Sequence, residues 1–95
     1  MDKREIARIE RRLKTLHRRL GQLGAVMRGS VVVIGTHNKQ PYFSVNVGGK
    51  TRLIYLGNAR EQRAREYSAN YQKLRGIVEE MTTLNMTRLK EDACP

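Results

Sequence analysis

The stretch that decides the fold is residues 41–56, PYFSVNVGGKTRLIYL. Residues 41–47 alternate between apolar and polar side chains, which is the period of a β-strand with one buried face. Gly48 and Gly49 follow, and a glycine pair between two such runs indicates a tight hairpin turn. Residues 50–56 are rich in β-branched and aromatic side chains and form the returning strand. The sequence therefore predicts an antiparallel hairpin with strands at 41–47 and 50–56.

Two registers of this hairpin are possible, and they bury different side chains. A two-residue loop pairs Phe43 with Ile54 and Val45 with Arg52, which mixes a charge into the apolar face. A three-residue loop over residues 48–50 pairs Val45 with Leu53 instead. We favour the three-residue loop, because it separates apolar from polar side chains. Its predicted buried face is Phe43, Val45, Val47, Leu53 and Tyr55, and its predicted solvent face is Ser44, Asn46, Arg52 and Ile54.

The segment before the hairpin predicts a long helix and a first strand. Asp2 followed by Glu5 has the form of a capping box, so we expect a helix over about residues 2–28. Its apolar positions recur in alternating steps of three and four, which is the spacing of a coiled-coil seam. The seam is formed by Ile6, Ile9, Leu13, Leu16, Leu20, Leu23 and Met27. Residues 30–35, SVVVIG, are β-branched and flanked by glycine, which predicts the first strand.

A second long helix is predicted after the hairpin, over about residues 59–89. Asn58 and Glu61 repeat the capping-box spacing, and the apolar positions again advance by three and four. We therefore expect an α+β fold in one domain spanning residues 1–95. A three-stranded antiparallel meander follows the first helix, and the two helices pack as an antiparallel coiled-coil-like pair, within one chain or between two. Residues 90–95, which include the single Cys94, are predicted to be a mobile tail.

The composition restricts the classes of function. Nineteen Lys and Arg side chains against nine Asp and Glu give a net charge of +10 over 95 residues, which favours a polyanionic partner. The apolar runs are much shorter than the roughly 20 residues that span a bilayer, and no apolar signal segment follows the charged start, so we expect a cytoplasmic protein. Its two histidines, His17 and His37, lie on different predicted elements, and no metal-ligand spacing occurs. We therefore expect no enzymatic activity, no cofactor and no metal.

The positive charge is concentrated at the beginning of the chain. Residues 1–28 carry nine basic and three acidic side chains, residues 29–57 carry three basic and no acidic ones, and residues 58–95 carry seven and six. Arginines four residues apart repel one another in a helix, whereas a row of cations suits a phosphate backbone. The predicted phosphate contacts are Arg4, Arg8, Arg11, Arg12, Lys14, Arg18, Arg19, Lys39 and Lys50.

The solvent face of the predicted sheet offers a second candidate surface. Ser44, Asn46 and Arg52 share that face in the favoured register, and Arg and Asn side chains match the edges of guanine and adenine. We interpret the protein as a nucleic-acid binder, with duplex DNA favoured and structured RNA as an alternative. The leading alternative of another class is a protein-interaction module that forms a homodimer or docks on an acidic protein.

Two resemblances accompany this interpretation. Residues 41–69 resemble the small arm-type DNA-binding domain of phage-type integrases and are similar to the plant AP2-like module. The resemblance is carried by the strand pattern of residues 42–47, 49–52 and 55–57 before a helix. It implies that three strands lie in the major groove with one helix behind them, and that Ser44, Asn46 and Arg52 occupy the matching positions.

Residues 20–90 resemble a family of short, basic prokaryotic proteins known only as a domain of unknown function. The shared cues are the segments 27–30 and 49–52 and the stretch from Tyr71 to Met86. Many members carry a cysteine cluster between the first two strands, whereas this chain has THNKQ at residues 36–40. The resemblance implies no activity, and no metal site is expected at this position.

Overall fold

The computed structural model describes residues 2–92 and has the predicted α+β architecture. Two helices flank a three-stranded antiparallel sheet in which the strands lie in chain order. Each of the three predicted strands is confirmed to within one residue at either end. The elements are α1 (Lys3–Gly21), β1 (Ser30–Ile34), β2 (Gln40–Val47), β3 (Lys50–Tyr55) and α2 (Gly57–Asp92).

Helix α1 begins as predicted and ends earlier. The Asp2 carboxylate accepts a hydrogen bond from the Glu5 backbone N–H at 2.9 Å, which caps the first turn. The helix ends at Gly21, so the prediction of a helix to residue 28 is wrong. Gly21 and Gly24 each cost roughly 1 kcal/mol in a helix relative to alanine. Residues 22–29 instead form the connection to β1.

The hairpin has the register that the sequence analysis did not favour. Gly48 and Gly49 have φ angles of 60° and 81°, and two successive positive φ angles are typical of a two-residue type I′ turn. Val47 therefore pairs with Lys50, and Val45 pairs with Arg52. The three-residue loop was wrong because it was chosen for apolar sorting, whereas the turn geometry sets the register of a hairpin.

The observed register changes the two faces of the sheet. Phe43 is buried and packs with Leu56 and Ala64 of the following segment. Leu53 and Tyr55, predicted to be buried, lie on the opposite face and are 52% and 50% exposed. Arg52 lies on the same face as its partner Val45, so the prediction that it shares a face with Ser44 and Asn46 is wrong.

Helix α2 is longer than predicted at both ends. It begins at Gly57, so Asn58 lies inside its first turn and the predicted capping role of Asn58 is wrong. Arg60 instead ties the helix to β3, since its guanidinium donates to the Tyr55 carbonyl at 2.6 Å and to the Leu56 carbonyl at 3.2 Å. Residues 90–92 are helical rather than part of a tail. The remainder of the predicted tail, residues 93–95 with Cys94, lies outside the described residues.

The described chain divides into two compact units. The sheet unit comprises Gly24–Gln72, and the helical unit comprises the residues up to Leu23 and from Lys73 onward. In the sheet unit, Phe43 is the largest buried side chain, and Met27, Val31 and Val45 pack against its cluster. The connection before β1 lies along α2 in the same unit. Its contacts are Met27 N–H to the Tyr67 carbonyl, the Ser68 hydroxyl to the Gly29 carbonyl and the Asn70 amide to the Ala25 carbonyl.

In the helical unit, α1 contributes Ile9 and Leu16 to the interior and α2 contributes Ile77. Two ion pairs join the same elements, Arg12 with Glu80 and Glu10 with Arg88. Other seam positions are only partly covered, and Ile6 is 37% exposed. The coiled-coil character of the helix pair stays a prediction.

Replacing Gly29 tests the close approach of the connection to the sheet. Its φ is 133°, and a Cβ would lie 2.5 Å from the Ser44 carbonyl oxygen and 2.6 Å from the Phe43 ring. We expect Gly29→Ala to lower the free energy of unfolding by about 1–3 kcal/mol. Gly76 is the control, because its position in α2 is open, and Gly76→Ala should raise stability by about 0.5–1 kcal/mol. Urea denaturation of both variants measures the two changes in the free energy of unfolding. Equal changes would contradict the close contact inferred at Gly29.

Candidate nucleic-acid interface

The outward side of α1 carries a continuous set of cations, which we call the basic face. Arg4, Arg11 and Arg18 are seven residues apart, nearly two helical turns, and therefore lie along one line of the helix. Glu5 and Glu10 lie about 100° or more around the helix from Arg11. The members of the basic face, all exposed, are Arg4, Arg8, Arg11, Lys14, Arg18 and Arg19.

Ion pairs remove one predicted contact from this set. Arg12 is half-buried and donates through two guanidinium nitrogens to Glu80, with Nη2 to Oε1 at 2.9 Å. Two of its five N–H donors are therefore used within the fold and its charge faces a carboxylate, so we leave Arg12 out of the basic face. Among the side chains of residues 2–91, no ion pair joins a carboxylate to Arg4, Arg8, Arg11 or Arg18.

The Arg12–Glu80 contact also changes the titration of both groups. The hydrogen bond from Arg12, and then its charge and that of Arg19, lower the pKa of Glu80. The same hydrogen bond raises the pKa of Arg12. Arg19 therefore has a carboxylate in its electrostatic neighbourhood.

The first turns of α1 form a shallow depression between cationic side chains. Lys3, Arg4, Ala7, Arg8 and Arg11 line it. The small side chain of Ala7 leaves room between the longer cations on either side. Sequence reasoning missed Lys3, although its spacing of four residues from Ala7 indicates that the two share a helix face. Four cationic side chains, Lys3, Arg4, Arg8 and Arg11, therefore surround one shallow depression on α1.

A second candidate surface is the sheet face opposite Phe43, which carries polar side chains together with exposed apolar ones such as Leu53. Ser44 and Asn46 are on this face, as predicted, together with Tyr42 and Tyr55. The two tyrosine rings meet edge to face, with centroids 5.5 Å apart. The Tyr55 hydroxyl donates to the Gln40 side-chain oxygen at 3.1 Å, so that this end of the surface is ordered by side-chain hydrogen bonds.

Two cations of the sheet unit differ from their predicted places. Arg52 lies on the other face, as described above, and Lys50 lies on that face too, because it pairs with Val47. Lys39 is exposed next to β2, as a turn position predicts. Arg28, which sequence reasoning missed, donates to the Asn46 carbonyl. That carbonyl lies beyond the end of the β1 ladder at Ser44, so its hydrogen bond comes from a side chain.

Comparison of the chain with models of protein families, with curated proteins and with solved structures found no match. In the part of the chain that the structure describes, no helix has the length and apolar character of a membrane span. Residues 2–92 likewise contain no group of three or more His, Cys, Asp or Glu side chains placed to hold a metal ion.

The Arg12–Glu80 pair gives a pH-dependent contribution to stability. Because the pKa of Glu80 is lowered in the folded chain, the pair stabilises the fold above the unfolded pKa of a glutamate and is lost as the pH falls through the folded pKa. We expect Glu80→Gln to be less stable than the wild type at neutral pH, and the difference to vanish in acid. Urea denaturation at the two pH values measures it. Glu79→Gln, an exposed neighbour, is the control, and a Glu80→Gln deficit that persists in acid would contradict the assignment.

Proposed function

We propose that this protein binds nucleic acid, with duplex DNA favoured, through phosphate contacts made by the basic face. The observation that supports this proposal is the row of exposed arginines on α1, of which Arg4, Arg8, Arg11 and Arg18 form no ion pair with any side chain of residues 2–91. A helix whose only task is to be stable would mix the signs of its surface charges. The role proposed is binding and not catalysis, and a cytoplasmic location is part of the proposal.

The length of the basic face suits a phosphate backbone. From Arg4 to Arg18 the helix rises about 21 Å, over which a duplex carries roughly a dozen negative charges. A helix presents the backbone positions of its cations at fixed spacing, so only the side chains have to become ordered when they meet the phosphates. The binding free energy then comes largely from the release of counterions, which makes affinity depend on salt.

Removing three cations from the basic face should flatten that salt dependence. For Arg4→Gln, Arg11→Gln and Arg18→Gln together, we expect the slope of log K against log salt to shrink in magnitude by about 2.7, from three lost phosphate contacts. Fluorescence anisotropy with a labelled duplex at several salt concentrations measures the slope.

The matched control removes three exposed cations from α2. Lys73→Gln, Arg75→Gln and Lys90→Gln together produce the same change in net charge and leave the basic face intact. We expect this control to keep most of the wild-type slope. Equal slopes in the two triple variants would mean that only net charge matters, and would contradict the proposal.

The exposed face of the sheet is proposed as the surface that contacts base edges. A sheet or ribbon of strands fits the major groove, which is about 12 Å wide. Ser44 and Asn46 are supported in this role by their position beside Tyr42 and Tyr55 on the exposed face. Arg52 is not, because it lies on the face that carries Phe43 and Val45.

Asn46 and Arg52 should therefore differ in their effect on sequence preference. We expect Asn46→Ala to reduce discrimination between preferred and scrambled duplexes by about 1–3 kcal/mol. Arg52→Ala should weaken binding to all duplexes alike. Selection from a randomised duplex pool followed by affinity measurement provides the comparison, and a loss of discrimination only in Arg52→Ala would reverse the assignment.

Structured RNA is the alternative ligand, because a basic helix also fits an A-form backbone. Measuring duplex DNA, single-stranded DNA and structured RNA at two salt concentrations separates the ligands. Tightest binding to structured RNA would leave the basic face as the proposed contact surface and would make RNA, instead of duplex DNA, the proposed ligand. Binding of an acidic protein but of no nucleic acid would reject the proposal.

A further inference from the structure

The chain buries few apolar side chains for its size. Among residues 2–92, the buried apolar side chains are Ile9, Leu16, Phe43, Leu56, Ala64 and Ile77. Only three of them, Ile9, Leu16 and Ile77, belong to the helical unit. That unit therefore leaves apolar side chains that a partner can cover.

In the helical unit, the most exposed large apolar side chains lie on α2. Val78 is 46% exposed, Met86 50% and Leu89 68%. The residues Val78, Met81, Asn85 and Leu89 are separated by steps of three and four and therefore share a helix face, which we call the α2 stripe. A groove runs along this face, and His17, Val78, Met81, Thr82, Asn85, Met86 and Leu89 line it.

The charge around the α2 stripe distinguishes it from the rest of the molecule. The segment 73–91 carries four basic and three acidic side chains, although the whole chain has a net charge of +10. Two copies that approached through the basic face would repel each other, whereas two copies that meet at the α2 stripe bring together helix segments that each have a net charge of +1. An apolar groove of this kind does not complement a phosphate backbone, which binds to cations.

The heptad-like spacing of the α2 stripe also favours a helix as its occupant. Side chains at such spacing fit into the gaps of a second helix with the same pattern, and a second copy of α2 brings the same stripe. A two-fold axis lets each copy cover the other and closes the assembly at a dimer. Asn85 is the single polar member of the stripe, and one buried Asn selects register and stoichiometry at some cost in stability.

We propose that two copies of this chain form a homodimer by packing their α2 stripes together. The groove that His17 and α2 line is then the site into which the partner's helix docks. The dimer does not depend on the proposed nucleic-acid binding, because the basic face and the α2 stripe share no residue.

Sedimentation velocity with multi-angle light scattering, in nuclease-treated protein at high salt, tests the proposal. We expect the wild type to have the mass of a dimer at tens of micromolar and to dissociate on dilution. Leu89→Glu, at a side chain already 68% exposed, should raise the dissociation constant at least tenfold with unchanged helical circular dichroism. Leu53→Glu is the matched control, because Leu53 is 52% exposed on the sheet, and it should leave the mass unchanged.

A second variant keeps the test decisive if Leu89→Glu loses helical structure. Asn85→Leu removes the polar member of the stripe and should strengthen association or shift it to higher oligomers. A monomeric wild type at all concentrations would overturn the proposal, as would a dimer that both Leu89→Glu and Asn85→Leu leave unchanged. Duplex binding by a strictly monomeric protein would reject the dimer alone and leave the proposed function standing.

Discussion

Two successive positive φ angles at Gly48 and Gly49 constrain the rest of the sheet unit. A turn of this geometry joins β2 to β3 through two residues, and every later pair in the hairpin follows from it. The turn thereby places Arg52 and Ile54 of β3 on the face of Phe43, which forms the core with Leu56 and Ala64. The same register places Leu53 and Tyr55 beside Ser44 on the other face, so the turn decides which β3 side chains join the core face and which join the candidate contact surface.

Electrostatics organises the helical unit in a different way. α1 carries more positive charge than its own acidic side chains neutralise. Two ion pairs join it to α2, Arg12 with Glu80 and Glu10 with Arg88. The arginines farther around α1 keep their donors free of carboxylates within the described chain. The unit thus compensates charge where the helices meet and leaves it uncompensated outside, which is the arrangement that a phosphate-binding helix needs.

The modest interior of the chain connects these observations. A protein of this length removes a smaller share of its surface from water than a larger one does, and this chain leaves apolar groups such as Val78 and Leu89 largely in contact with solvent. The α2 stripe and the basic face of α1 allow two kinds of contact at once. The first covers apolar area and is insensitive to salt, and the second neutralises charge and weakens as salt rises.

The sequence by itself determined the kind and order of the elements, the bounds of the strands, the cap at Asp2 and the one-sided charge of α1. These features depend on side-chain periodicity, on turn residues and on interactions within a few positions of the chain. Only the tertiary structure decided that Arg52 leaves the face of Ser44 and Asn46, and that Arg12 pairs with Glu80. The glycine pair allowed two registers, and the φ angles that Gly48 and Gly49 adopt selected one of them. The ion pair joins residues 68 positions apart, and a local sequence pattern does not reveal a partner at that distance.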